Sequence, residues 1–125
     1  MPDGLDVWSP AFVNRLAAFC AAAARVAREE GQEAPVWCPM NEISFWSWAG
    51  GDKAAFYPGT DGQGHALKRQ LVRAAIAGTE AARAVDRRAR FMQPEPVIHI
   101  THHPNRPWDA EQAELYRLAQ YQAGT

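Results

Sequence analysis

Residues 37–52 read WCPMNEISFWSWAGGD, and this stretch decides the fold prediction. It continues a short apolar run, residues 36–40, and then places Asn41 and Glu42 directly after that run. A short run that is apolar on both faces is typical of a parallel strand that is covered on both sides. Because Pro39 lacks a backbone N–H, regular strand pairing is expected to end near it. The stretch therefore predicts a buried strand that leads into an adjacent amide and carboxylate.

A helix is predicted before this strand. Ser9 and Pro10 supply a hydroxyl cap and a proline at the first helical position. Gly31 supplies a left-handed cap at the other end. Between them, apolar residues recur at steps of three and four, which is the spacing of one helix face. These residues are Phe12, Leu16, Phe19, Cys20, Ala23 and Ala27.

Two further helices and a second strand follow in the sequence. One helix is predicted from about His65 to Val85, and the strand begins at residues 90–93 and leads through Pro94-Glu95-Pro96 into the apolar run 97–100. The last helix is expected to start at Asp109, with Gln112 as its capping-box partner. We expect it to turn three apolar side chains inward. These are Leu115, Leu118 and Ala119.

The element order is therefore helix, strand, helix, strand, helix. Such alternation predicts parallel strands joined by right-handed crossovers, which is the α/β class. Two parallel strands make a poor sheet, because both faces and both edges need cover. Residues 1–125 are thus expected to be a single segment of a larger α/β domain.

Composition restricts the class of protein. The chain has 125 residues, 47% of them apolar, and a net charge of −1. Since no basic stripe is present to neutralise phosphates, a nucleic-acid partner is not expected. No apolar run approaches the roughly 20 residues that span a bilayer, and the N-terminus does not resemble a signal peptide. We therefore expect a cytoplasmic protein without a membrane partner, in which Cys20 and Cys38 are free thiols rather than a disulfide.

The candidate site follows from the strand order. Ligands of parallel α/β folds bind at the carboxyl ends of the strands. Glu42 follows the first strand and Glu95 follows the second, so the two carboxylates are expected on the same rim of the sheet. The long connection of residues 43–64 starts at this rim, as expected where loops carry function.

These motifs resemble a known family. Asn41-Glu42 at the end of an apolar strand is similar to the fourth-strand motif of the retaining (β/α)8 glycoside hydrolases. The longer patterns PMNEISFWSWAGG (39–51), LKRQLVRAA (67–75) and FMQPEP (91–96) resemble bacterial β-glucosidase-like proteins. The resemblance spans about residues 36–100. It implies a partial TIM barrel that runs from the third helix to the fifth strand and its helix.

The resemblance implies roles for individual residues. Glu42 would be the general acid/base, and Asn41 would bind the 2-hydroxyl of the sugar in a carbohydrate substrate. Desolvation by Phe45, Trp46 and Trp48 would raise the pKa of Glu42 towards the working pH. Trp46 and Trp48 are candidate walls of the sugar site, one of which is expected to pack in the core instead. Glu95 either binds a sugar hydroxyl or accepts a backbone N–H.

The resemblance also implies what this segment lacks. A retaining enzyme needs a second carboxylate about 5–5.5 Å from the first, which the family takes from its seventh strand. A whole barrel takes about 250 residues. The nucleophile and the rest of the barrel are therefore expected outside this chain, and the 125 residues alone are expected to be inactive. No cofactor and no metal are required.

Two alternatives remain open. One is a non-catalytic carbohydrate-binding relative that keeps the same rim. The other is a metal-dependent hydrolase that uses His99, His102 and His103 with Glu95, since histidine is a frequent ligand of transition metals. The spacing of these histidines is not that of a helical metal motif, so a loop in which His99 donates to a sugar hydroxyl is favoured.

Overall fold

Two long helices and one pair of short strands form the framework. A computed structural model describes residues 4–120. Its elements are, in chain order, α1 (Pro10–Glu29), β1 (Val36–Trp37), α2 (Ile43–Trp46), a π-helical segment (Ser47–Asp52), α3 (Gly64–Val85), β2 (Arg90–Phe91), a 3₁₀ turn (Pro107–Asp109) and α4 (Ala110–Ala119). The fold is mixed α/β and mostly helical, with the predicted order of the main elements.

The strands are parallel, as predicted, but they are shorter than the apolar runs suggested. Val36 pairs with Arg90 and Trp37 pairs with Phe91, so regular pairing ends before Pro39. The expectation that the first strand is covered on both faces is wrong, because the side chain of Val36 is half exposed. Two short strands are compatible with a segment of a (β/α)8 barrel but do not by themselves define one.

The core lies where α1 packs on α3 and where both helices meet the start of α2. Its buried apolar side chains are Val7, Phe12, Met40, Ile43, Leu67, Leu71 and Ala74. Full burial of each large member contributes about 1.5–3 kcal/mol. At Gly78 of α3, an added Cβ would lie 2.9 Å from the Sγ of Cys20, so the helices approach closely there. Both cysteines are free thiols, and burial raises the pKa of each.

Several expectations for the helix faces need correction. Phe19 is 69% exposed, because the contact line with α3 follows the four-residue ridge from Phe12 to Ala24 and leaves Phe19 at its edge. Leu115 and Leu118 of α4 are also exposed, since α4 is attached through its C-terminal end rather than along an apolar face.

The predicted helix caps are only partly present. Gly31 has φ +75° and ends α1 as expected. The hydroxyl of Ser9, however, donates to the carbonyl of Asp6 instead of capping α1. Asp109 makes no capping hydrogen bond to α4 and pairs with Arg106 at 2.8 Å instead. Within residues 4–120, no helix is both long enough and apolar enough to cross a membrane.

Candidate functional site

The segments that follow β1 and β2 lie side by side. The backbone N–H of Glu42 donates to the carbonyl of Pro94 at 3.1 Å. The Nε2 of Gln93 donates to the carbonyl of Met40 at 2.9 Å. Glu42 and Glu95 are thus close in the backbone and at the same end of the sheet. We call residues 41–44 and 94–96 together the glutamate rim.

Glu42 has an unusual backbone conformation. It is the residue before α2, with φ 46° and ψ 57°, which is the left-handed region. Its carbonyl accepts the N–H of Trp46 at 3.0 Å and so starts the helix, but its side chain makes no capping hydrogen bond. The residue is half-buried, while Asn41 before it is exposed. A left-handed residue other than glycine is uncommon and costs about 1–2 kcal/mol.

Glu95 fixes the start of α2. Its two carboxylate oxygens accept the backbone N–H of Ser44 at 3.2 and 3.0 Å. A carboxylate is favoured at this position because the first N–H groups of a helix have no partner within the helix. Glu95 was expected either to bind a sugar hydroxyl or to accept a backbone N–H, and in the structure it accepts a backbone N–H. The two glutamates of the rim therefore have different environments, and only Glu95 is anchored through its side chain.

Lys68 of α3 lies close enough to Glu95 for their charges to interact. Burial lowers the pKa of Lys68, and the negative charge of Glu95 opposes that effect. Its Nζ donates to the carbonyl of Ala119 at the end of α4. Lys68 belongs to the pattern of residues 67–75 but was not predicted as a site residue, and its only sequence signal is a lysine next to an apolar position of a predicted helix.

The two tryptophans of the motif have different environments, as expected. Trp46 packs edge-on against Phe12, with ring centroids 6.5 Å apart, and its Nε1 donates to the carbonyl of Tyr57 at 2.6 Å. Trp48 is 41% exposed and lies 5.9 Å from the ring of Phe45. Trp46 is therefore a packing residue, and Trp48 is the one available to a ligand.

The glycine pair that follows Trp48 allows the π-helical segment to pack closely. A Cβ on Gly50 would lie 2.5 Å from the carbonyl oxygen of Tyr57, and one on Gly51 would lie 2.6 Å from the Cα of Gly64. Asp52 then accepts the N–H of Gly64 at 2.6 Å and begins α3. Glycine is thus required here by the approach of other backbone segments. Such π-helical turns occur frequently at functional sites.

The histidines do not form a metal centre. His99, His102 and His103 are exposed on the irregular segment between β2 and the 3₁₀ turn. The Nδ1 of His103 accepts the N–H of Asn105 at 3.2 Å. Among residues 4–120, no group of three or more histidine, cysteine or acidic side chains is arranged to hold a metal ion. The geometry thus gives no support to the metal-dependent hydrolase.

Comparison with protein-family models, with curated proteins and with solved structures finds no significant match. The resemblance to β-glucosidase-like proteins therefore depends on the motif residues alone.

Proposed function

We propose that this chain carries the acid/base part of the active site of a retaining, β-glucosidase-like glycoside hydrolase. Its remaining β/α units would lie outside the chain and complete a (β/α)8 barrel. The observation that carries this proposal is the position of Glu42. Glu42 is half-buried and has a left-handed backbone conformation at the carboxyl end of β1. Its N–H donates to the carbonyl of Pro94, the residue before Glu95.

Of the four described non-glycine residues with positive φ, Glu42 is the one with an ionisable side chain, which supports a role for its carboxyl group. Glycine or asparagine would adopt these dihedral angles at lower cost. Strained residues cluster at active sites, where the surrounding structure holds them in place. The hydrogen bonds that hold Glu42 in this strained conformation join backbone atoms. The conformation therefore sets the direction of a side chain that makes no capping hydrogen bond.

In the proposed reaction Glu42 protonates the departing glycosidic oxygen and later removes a proton from water. Asn41 binds the 2-hydroxyl, and the exposed ring of Trp48 forms a wall of the site. Glu95 holds α2 in place and retains lone pairs that can accept a sugar hydroxyl. We also propose that His99 donates a hydrogen bond to a sugar hydroxyl. The nucleophile would come from a strand outside this chain, so the 125 residues should bind sugar without hydrolysing it.

The proposal is tested by Glu42→Gln in the longest open reading frame that contains this sequence. Hydrolysis of alkyl or phenyl β-glucosides should fall by about 10²–10⁴-fold, the usual contribution of a general acid. Dinitrophenyl glucosides should lose far less in the first step, because their leaving group needs no proton. Glu29→Gln, an exposed carboxylate at the end of α1, is the matched control.

Two results would contradict the proposal. One is Glu42→Gln hydrolysing poor and good leaving groups as well as the unchanged protein does. The other is a full-length protein that binds glucosides but hydrolyses none of them, which would favour the carbohydrate-binding relative. The absence of a glutamate at the end of a later strand would point the same way.

A further inference from the structure

A cavity of about 320 Å³ lies between α2, the segment after β2 and α4. Its walls are mostly apolar and aromatic, from Phe45, Trp48, Pro96, Ile98, Ile100 and Tyr116. Several of these large side chains are well exposed, among them Ile98 at 56% and Trp48 at 41%. Exposed apolar side chains gathered around one concavity mark a binding site rather than ordinary surface.

Two polar side chains of this cavity, Gln120 and Ser44, are already engaged. Gln120 pairs with the backbone of Ile98 as a neighbouring strand would: its Oε1 accepts the N–H at 2.7 Å and its Nε2 donates to the carbonyl at 2.8 Å. Its Nε2 also donates to the carbonyl of Arg117. The hydroxyl of Ser44 donates to the carbonyl of Gln120 at 3.3 Å. These bonds close one side of the cavity and leave the hydroxyl of Tyr116 and the Nε1 of Trp48 as the lining side-chain groups that can still hydrogen-bond a ligand.

The small number of free polar groups in the cavity determines the class of ligand. A sugar needs a partner for each hydroxyl that it buries, because an unsatisfied buried hydroxyl is costly. None of the described residues that line the cavity is charged, so an ionic ligand would lose its hydration without a counter-ion. Aromatic rings on two sides, from Phe45 and Trp48 on α2 and the π-helical segment and from Tyr116 on α4, instead favour a flat apolar molecule.

The volume of the cavity limits the size of the ligand. Enclosed apolar cavities of about 150 Å³ admit benzene, and this cavity, which is partly open to solvent, is roughly twice as large. We propose that it binds a small, uncharged, bicyclic aromatic molecule of the size of indole or naphthalene. Glu42 is not among the lining residues of the cavity. Trp48 contributes to both proposed sites, but the inference does not depend on glycoside hydrolysis.

The test is a titration of the full chain with indole, followed by the amide and tryptophan side-chain signals in a nitrogen–proton correlation spectrum. Saturable shifts are expected at Ser44, Trp48 and Ile98, with a dissociation constant at or below ~1 mM, a modest efficiency for a ligand of this size. The same titration with benzoate, a charged aromatic molecule, should leave those signals unchanged, because none of the described lining residues offers a counter-ion.

Two alanine substitutions form a matched pair. Ala119→Phe fills the cavity from α4 and should weaken indole binding by at least ~10-fold, whereas Ala22→Phe on the exposed face of α1 should leave it unchanged. If Ala119→Phe does not fold, Trp48→Leu, which removes one aromatic wall at an exposed position, should give the same weakening.

Four results would overturn the inference. They are the absence of saturable shifts, unchanged binding by the wall variants, equal shifts on the exposed apolar face of α1 around Phe19 and Val26, and perturbation of the same signals by raising the protein concentration alone. The last result would mean that a second copy of the chain covers the cavity. Failure of indole to bind would leave the Glu42→Gln outcome unaffected, so the two proposals fail separately.

Discussion

Replacing Glu42 by glycine should make the protein more stable while removing its proposed acid/base. At φ 46° and ψ 57°, an L-residue pays about 1–2 kcal/mol because its Cβ crowds the following carbonyl. Glycine avoids that cost but adds about 0.4–1 kcal/mol of entropy to the unfolded chain. The expected net gain in the free energy of unfolding is roughly 0.5–1 kcal/mol, or about 2–4 °C in Tm for a chain of this size.

The assay is urea unfolding followed by circular dichroism, which should show a higher midpoint at an unchanged slope. Ala34 has the same φ of 46° outside the rim, so Ala34→Gly should gain a similar amount. Ala22 lies within α1, where glycine costs about 0.5–1 kcal/mol relative to alanine. Glu42→Gln keeps the Cβ and should match the unchanged protein.

The outcome of this series decides whether the backbone of Glu42 is strained. If Glu42→Gly is destabilised as much as Ala22→Gly, no strain is relieved, and the conformational argument for function is refuted. If Glu42→Gln gains as much as Glu42→Gly, the benefit comes from removing a carboxylate charge and not from the backbone. Only a gain shared by Glu42→Gly and Ala34→Gly supports the reasoning.

Three further predictions concern packing, pH and the attachment of α4. Gly51→Ala should cost about 1–3 kcal/mol of unfolding free energy in urea titrations, because its Cβ meets the backbone of Gly64; Gly51→Asn should be worse. Asp86 accepts three hydrogen bonds from Arg88, which lower the pKa of its carboxyl to about 2. The stability that this provides is present above the unfolded pKa of about 4 and is lost as the pH falls from about 4 to about 2. The Tm of Asp86→Asn, measured by thermal unfolding, should therefore not show this fall in stability at acid pH. A fall equal to that of the unchanged protein would contradict the prediction. Lys68→Met removes a charged donor to α4 and should speed amide hydrogen exchange in residues 110–119 about 10-fold or more; exchange in α1 is the internal control.

The two long helices could be predicted from sequence because their signals are local. Proline at the first turn, glycine at the end and apolar residues at helical spacing placed a helix at α1, Pro10–Glu29. The same periodicity placed α3 to within one residue of its observed start, Gly64. Which side chains of a face are buried is less local. It depends on the ridge that meets the neighbouring helix, and Phe19 lies off that ridge although it has the expected spacing.

The strands and α4 were harder to predict because they depend on partners far along the chain. Strand length in β1 and β2 is determined by the pairing of residues about 54 positions apart (Val36 with Arg90), and an apolar run does not encode how much of it will pair. For α4, the predicted inward leucines are exposed, since attachment is through carbonyls at its end that accept from Lys68 and Ser44. Polar anchoring of this kind leaves no periodic trace in sequence.

One feature of the glutamate rim could be predicted from the sequence, and another depends on contacts that the sequence does not show. That Glu42 and Glu95 would meet follows from parallel strands, because each residue comes shortly after a strand end. Their different roles do not follow, because they depend on one backbone N–H, that of Ser44, which becomes available only where α2 begins. The carboxylate of Glu95 accepts that N–H and so stabilises the start of α2. Glu42 is held through backbone hydrogen bonds, so its side chain has no part in starting the helix. Under the proposed function, the acid/base of this rim is therefore Glu42 and not Glu95.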